Sequence, residues 1–411
     1  MKKTVRSGLL AATIGCTTAS TEVDQPAEVE ESKNYVCNTN KSQNLGTGKI
    51  AFVGWISSIE DEEEKYDVEY GKDFSRLVKT IISNVDGSKE CTKYDAYSPT
   101  PSPDGSLTLY VGEAGNYSGS KNDVAGDVFL MTEQGTTIEK LGIWSDIVSP
   151  VFRPSWKPDQ SAIAYSIWED FNHSSPQDRP FEVAEIHEYI FETREKRQLT
   201  SLGGVSIDPV WCGDKIVFGS RSTDQIYSMN PDGSDIKVLS EGRDPACSPD
   251  QKKIAFSARN DWTPSIWTMN LDGSEKIDLS KACDIYDQSC SVPEDLRNLG
   301  VNNEVHTEPS WSPDGQHIAY VARAGLNEDL RRLEMIVVDE PSQKHVLTSN
   351  EVYSRYINWS PEGRFFAYLE RKTFTAGKTK IKIIDTITLE STVYKEASMP
   401  YFEDRHFSWS P

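Results

Sequence analysis

The chain has 411 residues and carries 43 Lys and Arg against 64 Asp and Glu, a net charge of −21. A surface of that sign repels nucleic acid and anionic lipid headgroups, so nucleic-acid binding is excluded and the membrane can be met only through an anchor. Acidity also serves plain solubility, and this length is ample for one large folded domain.

Residues 1–16 read as an export leader. Lys2, Lys3 and Arg6 precede an apolar run from Leu9 to Ile14 that is too short to span a bilayer. Thr13-Ile14-Gly15-Cys16 resembles a bacterial lipobox, in which Cys16 would be lipidated and become the first mature residue. Thr17, where an Asp would retain a lipoprotein at the inner membrane, points to the outer membrane facing the periplasm. An ordinary secretory leader is the alternative. Residues 17–44, rich in Ser, Thr, Glu and Asn, are expected to be a flexible polar tether.

From residue 45 to 411 the chain is organised by a repeat. Trp311-Ser312-Pro313-Asp314-Gly315 leads into the apolar strand Ile318-Ala319-Tyr320. Pro sets the φ of a turn, Asp bonds the backbone two residues on, and Gly accepts the positive φ that closes the hairpin. Related turns carry Asp104, Asp159, Asp214, Asp250 and Glu362, with intervals of 36 to 64 residues, the length of a unit of four short strands. The chain stops at Phe407-Ser408-Trp409-Ser410-Pro411, a repeat cut before its turn, whereas Lys49-Ile50-Ala51-Phe52-Val53 is a second strand lacking a first. Joined, the ends rebuild one unit and remove the open edges of a linear stack. The expectation is an all-β, seven-bladed β-propeller of four-stranded antiparallel blades, closed by pairing the C-terminal strand with the N-terminal blade. Six or eight blades are the alternatives.

These motifs resemble the repeats of TolB-type β-propellers, and related repeats occur in prolyl-oligopeptidase-like enzymes and oligogalacturonate lyases. The resemblance covers residues 45–411, and the amino-terminal domain of TolB has no counterpart. It implies a propeller that binds other envelope proteins. Propellers host unrelated activities, so function must be argued from a site.

Loss of Cys16 to lipid would leave Cys37, Cys91, Cys212, Cys247, Cys283 and Cys290, which allow up to three disulfides in fifteen connectivities. Cys283 and Cys290 share one long loop. Cys212 and Cys247 stand on inner strands of consecutive blades, at positions of opposite parity that can face each other where blades converge. Elimination leaves Cys37 with Cys91.

In a four-stranded blade the first-to-second and third-to-fourth turns share one face of the disc. Here both kinds are tight, the latter including Asn230-Pro231-Asp232-Gly233 and Asn270-Leu271-Asp272-Gly273. The long connections, 57–73, 113–126, 168–181, 322–331, 371–378 and 280–307, fall on the opposite face, which is the expected binding surface. Trp168, Asp170 and Phe171 form an acidic and aromatic cluster there, and Tyr286 and Asp287 lie between Cys283 and Cys290. His306 and His406, each just ahead of an inner strand, are expected to approach the channel mouth, where oligogalacturonate lyases by resemblance hold a metal. No compact ligand spacing supports one here, and no cofactor is expected.

No Gly-x-Ser-x-Gly elbow, phosphate-binding Gly-rich loop, His-Glu-x-x-His or Cys-x-x-Cys pattern occurs. The reading is therefore a non-enzymatic, monomeric binding scaffold for an envelope protein or peptide, or a glycan. The alternative is a polysaccharide lyase or hydrolase with a metal or acid–base site at the channel mouth, since a site assembled from several blades leaves no local pattern. Trp156, Trp211, Trp311, Trp359 and Trp409, at one repeat position, are expected to pack between blades, and the turn acids to cap hairpins.

Overall fold

The computed structural model describes residues 35–39, 49–55, 78–84, 89–94, 96–116, 124–133, 135–146, 154–168, 183–259, 263–282, 304–324, 331–348, 357–370, 378–398 and 407–410. They form an all-β propeller. In chain order the first strands are β1 (Tyr35–Thr39), β2 (Lys49–Trp55), β3 (Val78–Asn84) and β4 (Lys89–Tyr94). Six four-stranded antiparallel sheets follow. The first has β5 (Ala96–Pro101), β6 (Leu107–Asn116), β7 (Val124–Thr132) and β8 (Thr137–Asp146), and the second β9 (Ser155–Trp156), β10 (Ala162–Trp168), β11 (Ala184–Ile190) and β12 (Glu195–Gln198). The third has β13 (Ser206–Cys212), β14 (Lys215–Ser220), β15 (Gln225–Met229) and β16 (Lys237–Glu241), and the fourth β17 (Arg243–Cys247), β18 (Lys253–Arg259), β19 (Pro264–Asn270) and β20 (Ile277–Asp278). The fifth has β21 (Glu304–Trp311), β22 (His317–Ala324), β23 (Arg331–Val337) and β24 (Lys344–Val346), and the sixth β25 (Asn358–Trp359), β26 (Phe365–Glu370), β27 (Lys378–Asp385) and β28 (Ser391–Ser398).

The last strand, β29 (Phe407–Ser410), pairs antiparallel with β2, with Ile50 opposite Trp409 and Phe52 opposite Phe407. The two ends of the chain are therefore joined in one sheet of order β1-β4-β3-β2-β29. This corrects the expected architecture: six blades have four strands, rather than seven, and the sheet holding the seventh anchor has five. The extra strand is β1, whose residues fall in the stretch read as tether. It adds to β4, where an unpaired edge would otherwise present its backbone groups.

The hairpins form as their residues dictate. Ser312 Oγ donates to Asp314 Oδ1 (2.5 Å), the Gln316 amide donates to the same oxygen (2.9 Å), and the His317 amide donates back to Ser312 Oγ (2.9 Å). The same set recurs at Ser102 and Asp104, and at Ser248 and Asp250. The turn glycines Gly105, Gly315 and Gly363 have φ of 71°, 71° and 76°. Where Gly is missing, Gln160 and Gln251 take that conformation at φ 60°, so the hairpin turn overrides the preference of the residue.

The core lies between blades. Ala164, Ile186 and Leu199 of one sheet pack with Trp211, Phe218 and Met229 of the next, and Val217 and Ile226 with Phe256 and Met269. Full burial of each such aliphatic or aromatic side chain contributes about 1.5–3 kcal/mol. The repeated tryptophans add a directed bond. The indole N–H of Trp156 donates to the Thr100 carbonyl, that of Trp311 to Ala246 and that of Trp359 to Ser310, each at 3.2 Å and each on the inner strand of the preceding blade. The first blade has Pro101 at this position and the fourth has Cys247. There the contact is covalent: Cys247 is bonded to Cys212 on the preceding inner strand, with Cα atoms 5.5 Å apart.

The bond spans 35 residues of sequence, so it removes considerable freedom from the unfolded chain, equivalent to about 4 kcal/mol by loop-closure entropy. Replacing both Cys212 and Cys247 by Ala is expected to lower unfolding stability by about 2–4 kcal/mol. Urea titrations of wild type and variant, each with and without reductant, check this. Reductant should weaken the wild type further than it weakens the variant.

Candidate functional site

The inner strands of three consecutive blades carry an acidic residue followed by Pro at one repeat position: Asp208-Pro209 in β13, Asp244-Pro245 in β17 and Glu308-Pro309 in β21. Each acid has a left-handed backbone, with φ of 54°, 54° and 56°. A bulge in the strand pairing accompanies each, between Ile207 and Val210, Arg243 and Ala246, and Thr307 and Ser310. An L-residue there, ahead of Pro, is held against its own preference by the surrounding ladder, and such positions gather at binding and catalytic sites.

The three acids line one cleft of about 270 Å³, together with Arg221, Arg243, Arg323 and Arg331. The acids are half-buried, Arg221 and Arg243 are exposed, Arg323 is half-buried and Arg331 is buried. Gly219 and Ser220 at the end of β14 and Thr307 in β21 complete the wall. Arg221 follows β14, Arg323 lies near the end of β22 and Arg331 opens β23, while each acid stands three residues ahead of the Trp or Cys of its inner strand. The arginines and Asp208 and Asp244 lie at or near strand ends on the side of the second-to-third and blade-to-blade connections, the face expected to bind, and Glu308 lies mid-strand at its bulge. Interleaved carboxylates and guanidiniums suit a ligand offering both charge signs or a dense set of hydrogen-bonding groups.

His306 is placed differently from expectation. It lies within β21, not in a connection, and has no exposed surface. Its ring packs on Tyr320 at a centroid distance of 4.9 Å, Nδ1 hydrogen-bonds with Ser280 Oγ (2.7 Å), and Nε2 stands 3.7 Å from Glu304 Oε2. The alternation of a strand turns it into the interblade layer rather than toward the channel.

It belongs to a buried polar network. Arg332 donates to Glu334 Oε1 through Nε (2.6 Å) and to Glu304 Oε1 through Nη2. Tyr320 donates to Glu334 Oε2 (2.5 Å), and Lys344 Nζ lies 3.5 Å from that oxygen. Burial alone would raise the Glu304 carboxyl; neighbouring His306, Arg332 and Lys344 outweigh it and bring it down to about 2. Glu334 is lowered against the same burial penalty by the charges of His306, Lys344 and Arg332 and by the Tyr320 hydroxyl. The network is structural: nothing in it faces the cleft.

Trp168 closes β10, with its Cα opposite Ala184. Its side chain, together with Cys16, Asp170, Phe171, Tyr286, Asp287, His406 and the Cys283–Cys290 pair, lies outside the described residues. Cys37 and Cys91 are directly opposed in the β1–β4 pairing. The connections expected over 113–126, 280–307 and 322–331 are shorter, because β6 continues to Asn116, β7 starts at Val124, β21 at Glu304, and β22 runs to Ala324. Among the described residues no three His, Cys, Asp or Glu side chains converge to hold a metal ion. Asp208 and Asp244 were not singled out from sequence, although an acid-Pro pair three residues ahead of the Trp or Cys of successive anchors is a readable signal.

Removing Arg332 takes from both buried carboxylates the guanidinium that donates to each of them. Arg332→Met is expected to cost about 3–5 kcal/mol in a urea titration. Both carboxyls release their protons more readily folded than unfolded. The stability they confer is thus complete above the ordinary glutamate value of 4.5 and is lost as pH falls below it, for Glu304 toward about 2. Thermal scans across that range should show Tm falling in the wild type and a shallower fall in a Glu304→Gln variant.

No family model matches the chain, and a search of curated proteins finds no relative. Solved structures do resemble it. A prolyl endopeptidase matches at a TM-score of 0.52 and 11% identity, over 79% of this chain and 47% of its own. An oligogalacturonate lyase in complex with manganese matches at 0.50 and 9%, over 89% and 96%. TolB from Acinetobacter baumannii matches at 0.49 and 17%, over 90% and 68%. Identities this low speak to fold and not to activity. Its repeated hairpins and its antiparallel sheets, closed by the pairing of β29 with β2, make the chain a β-propeller.

Proposed function

We propose that this protein is an exported, non-enzymatic binding scaffold, lipid-anchored through Cys16 at the outer membrane and facing the periplasm. Its loop face engages another envelope protein or a peptide segment of one. The observation that carries the reading is the cleft shared by Asp208, Asp244 and Glu308 with four arginines, on a rigid ring and at the face of the longer connections. Such a surface offers charge-assisted hydrogen bonds, of about 1.5–3 kcal/mol each, to backbone and side chains of a partner. Trp168, Asp170, Phe171, Tyr286, Asp287 and His406 would extend the contact beyond the cleft on the same face. A glycan is the second ligand class this chemistry suits. The enzymatic alternative has less behind it, because His306, one of its two histidines, is sealed from solvent.

A photo-crosslinking residue at Arg221, beside the cleft, is expected to capture a discrete protein in intact cells. The same probe at Asp232, on the tight-turn face, should capture none. Adducts from both faces, or from Asp232 alone, would overturn the assignment of the face. Reversing Arg221 and Arg243 to Glu is expected to weaken capture or measured affinity by on the order of tenfold or more, with Tm unchanged.

A further inference from the structure

The sheet that closes the ring has a feature that neither closure nor ligand binding requires. Strand β1 is a fifth strand of five residues on its outer edge, and Cys37, at the centre of β1, stands directly opposite Cys91 of β4. We propose that Cys37 and Cys91 form a disulfide that latches this strand, and with it the N-terminal end of the chain, onto the propeller.

The backbone supplies what the bond needs. Directly opposed residues of an antiparallel pair share a face of the sheet, and their Cα atoms are about 4.5–5.5 Å apart, within the roughly 4.4–6.8 Å that disulfides span. The chain already carries one disulfide, Cys212–Cys247, so it is a chain whose cysteines become oxidised. The strand itself has reason to need the bond. Five residues on a sheet edge have neighbours on one side only, and an isolated edge pairing of that length is marginal. Closing the long loop between residues 37 and 91 restrains the unfolded chain strongly.

Formation is a thiol–disulfide exchange with an external oxidant of the disulfide class, a protein disulfide oxidoreductase or glutathione disulfide. One cysteine thiolate attacks a sulfur of the oxidant and displaces its partner thiolate. The other cysteine thiolate then attacks the mixed disulfide at the chain's own sulfur and releases the second. The S–S bond of the oxidant breaks and the Cys37–Cys91 bond forms; the two protons lost by the cysteines end on the reduced oxidant, which takes the two electrons.

The position of the latch has a consequence for anchoring. Tyr35 lies opposite Lys93, near the end of β4, so the chain ahead of β1 joins the ring at the loop-face end of its strands. A pull on the N-terminus would open only the Tyr35–Lys93 and Val36–Thr92 pairs before it met the covalent bond.

The test uses the full chain from an oxidising compartment, with free thiols blocked by N-ethylmaleimide before proteolysis and no reductant present. The expected mass spectrum contains the Cys37 and Cys91 peptides as one linked species, lighter by two hydrogens than their sum and separated by reductant. Maleimide on either cysteine, or either one joined to Cys283 or Cys290, overturns the pairing. Amide hydrogen exchange on a Cys37→Ser, Cys91→Ser variant then tests the latch. Residues 35–39 are expected to exchange at least tenfold faster while 49–55 keep their protection, and unchanged exchange at 35–39 overturns a latching role.

Discussion

The ring depends on how each inner strand is tied to the one before it. A blade buries only as much as its neighbour covers, so the apolar layer is complete only when every blade sits at the right distance and tilt. The indole N–H bonds of Trp156, Trp311 and Trp359 to the preceding inner strand supply that spacing in directional form. Trp is suited to this position because its ring fills the interblade gap while its single donor reaches a backbone carbonyl of the preceding inner strand. The contact between the second and third blades shows how far the rule can bend. Trp211 is buried, yet among the described residues its indole nitrogen has no hydrogen-bond partner; its backbone amide donates to Ser155 Oγ (3.2 Å), and Lys157 lies over its ring. One blade later the tie becomes the Cys212–Cys247 bond.

This regularity explains where function can sit. Toward the tight-turn face the inner strands are committed to their interblade ties and their capped hairpins, so variation there would loosen the ring. Toward the other face the strand has left the anchor behind and is free to bulge. Asp208, Asp244 and Glu308 lie at those bulges, with the left-handed backbone that places three acids around one cleft. The strain is tolerated because the flanking Pro and the paired strand over-determine the chain. Two kinds of buried charge thus coexist. The cleft holds carboxylates and guanidiniums at a solvent-facing end of the strands. The Glu304, Arg332 and Glu334 set, with His306, is closed inside the fifth blade and its neighbour, where it fixes packing rather than chemistry.

Much of the fold is legible in the sequence because its signals are local and repeated. Ser-Pro-Asp-Gly specifies a hairpin wherever it occurs, the Trp one residue ahead identifies the inner strand, and a truncated repeat at one end with an orphan strand at the other implies closure. The pairing of Cys212 with Cys247 is legible for the same reason: with inner strands located, parity says which positions can face each other. The fifth strand β1 is not legible, since Tyr35–Thr39 in a polar stretch has no alternation strong enough to separate an edge strand from a tether.

What the chain determines alone is therefore the unit: the turn chemistry, the apolar strands and the order of strands within a blade. Only tertiary structure decides which units touch, and the site depends on that. His306, near an inner anchor in sequence, is turned into the interblade layer because a strand reaches back to Glu304 and alternation sends its ring to Ser280 and Tyr320. Asp208, Asp244 and Glu308 are far apart in the chain; the acid-Pro pair marks each of them locally, but only the closed ring brings them together. They meet because three copies of one repeat position converge toward the axis of a closed ring, and convergence is a property of the ring and not of any segment in it.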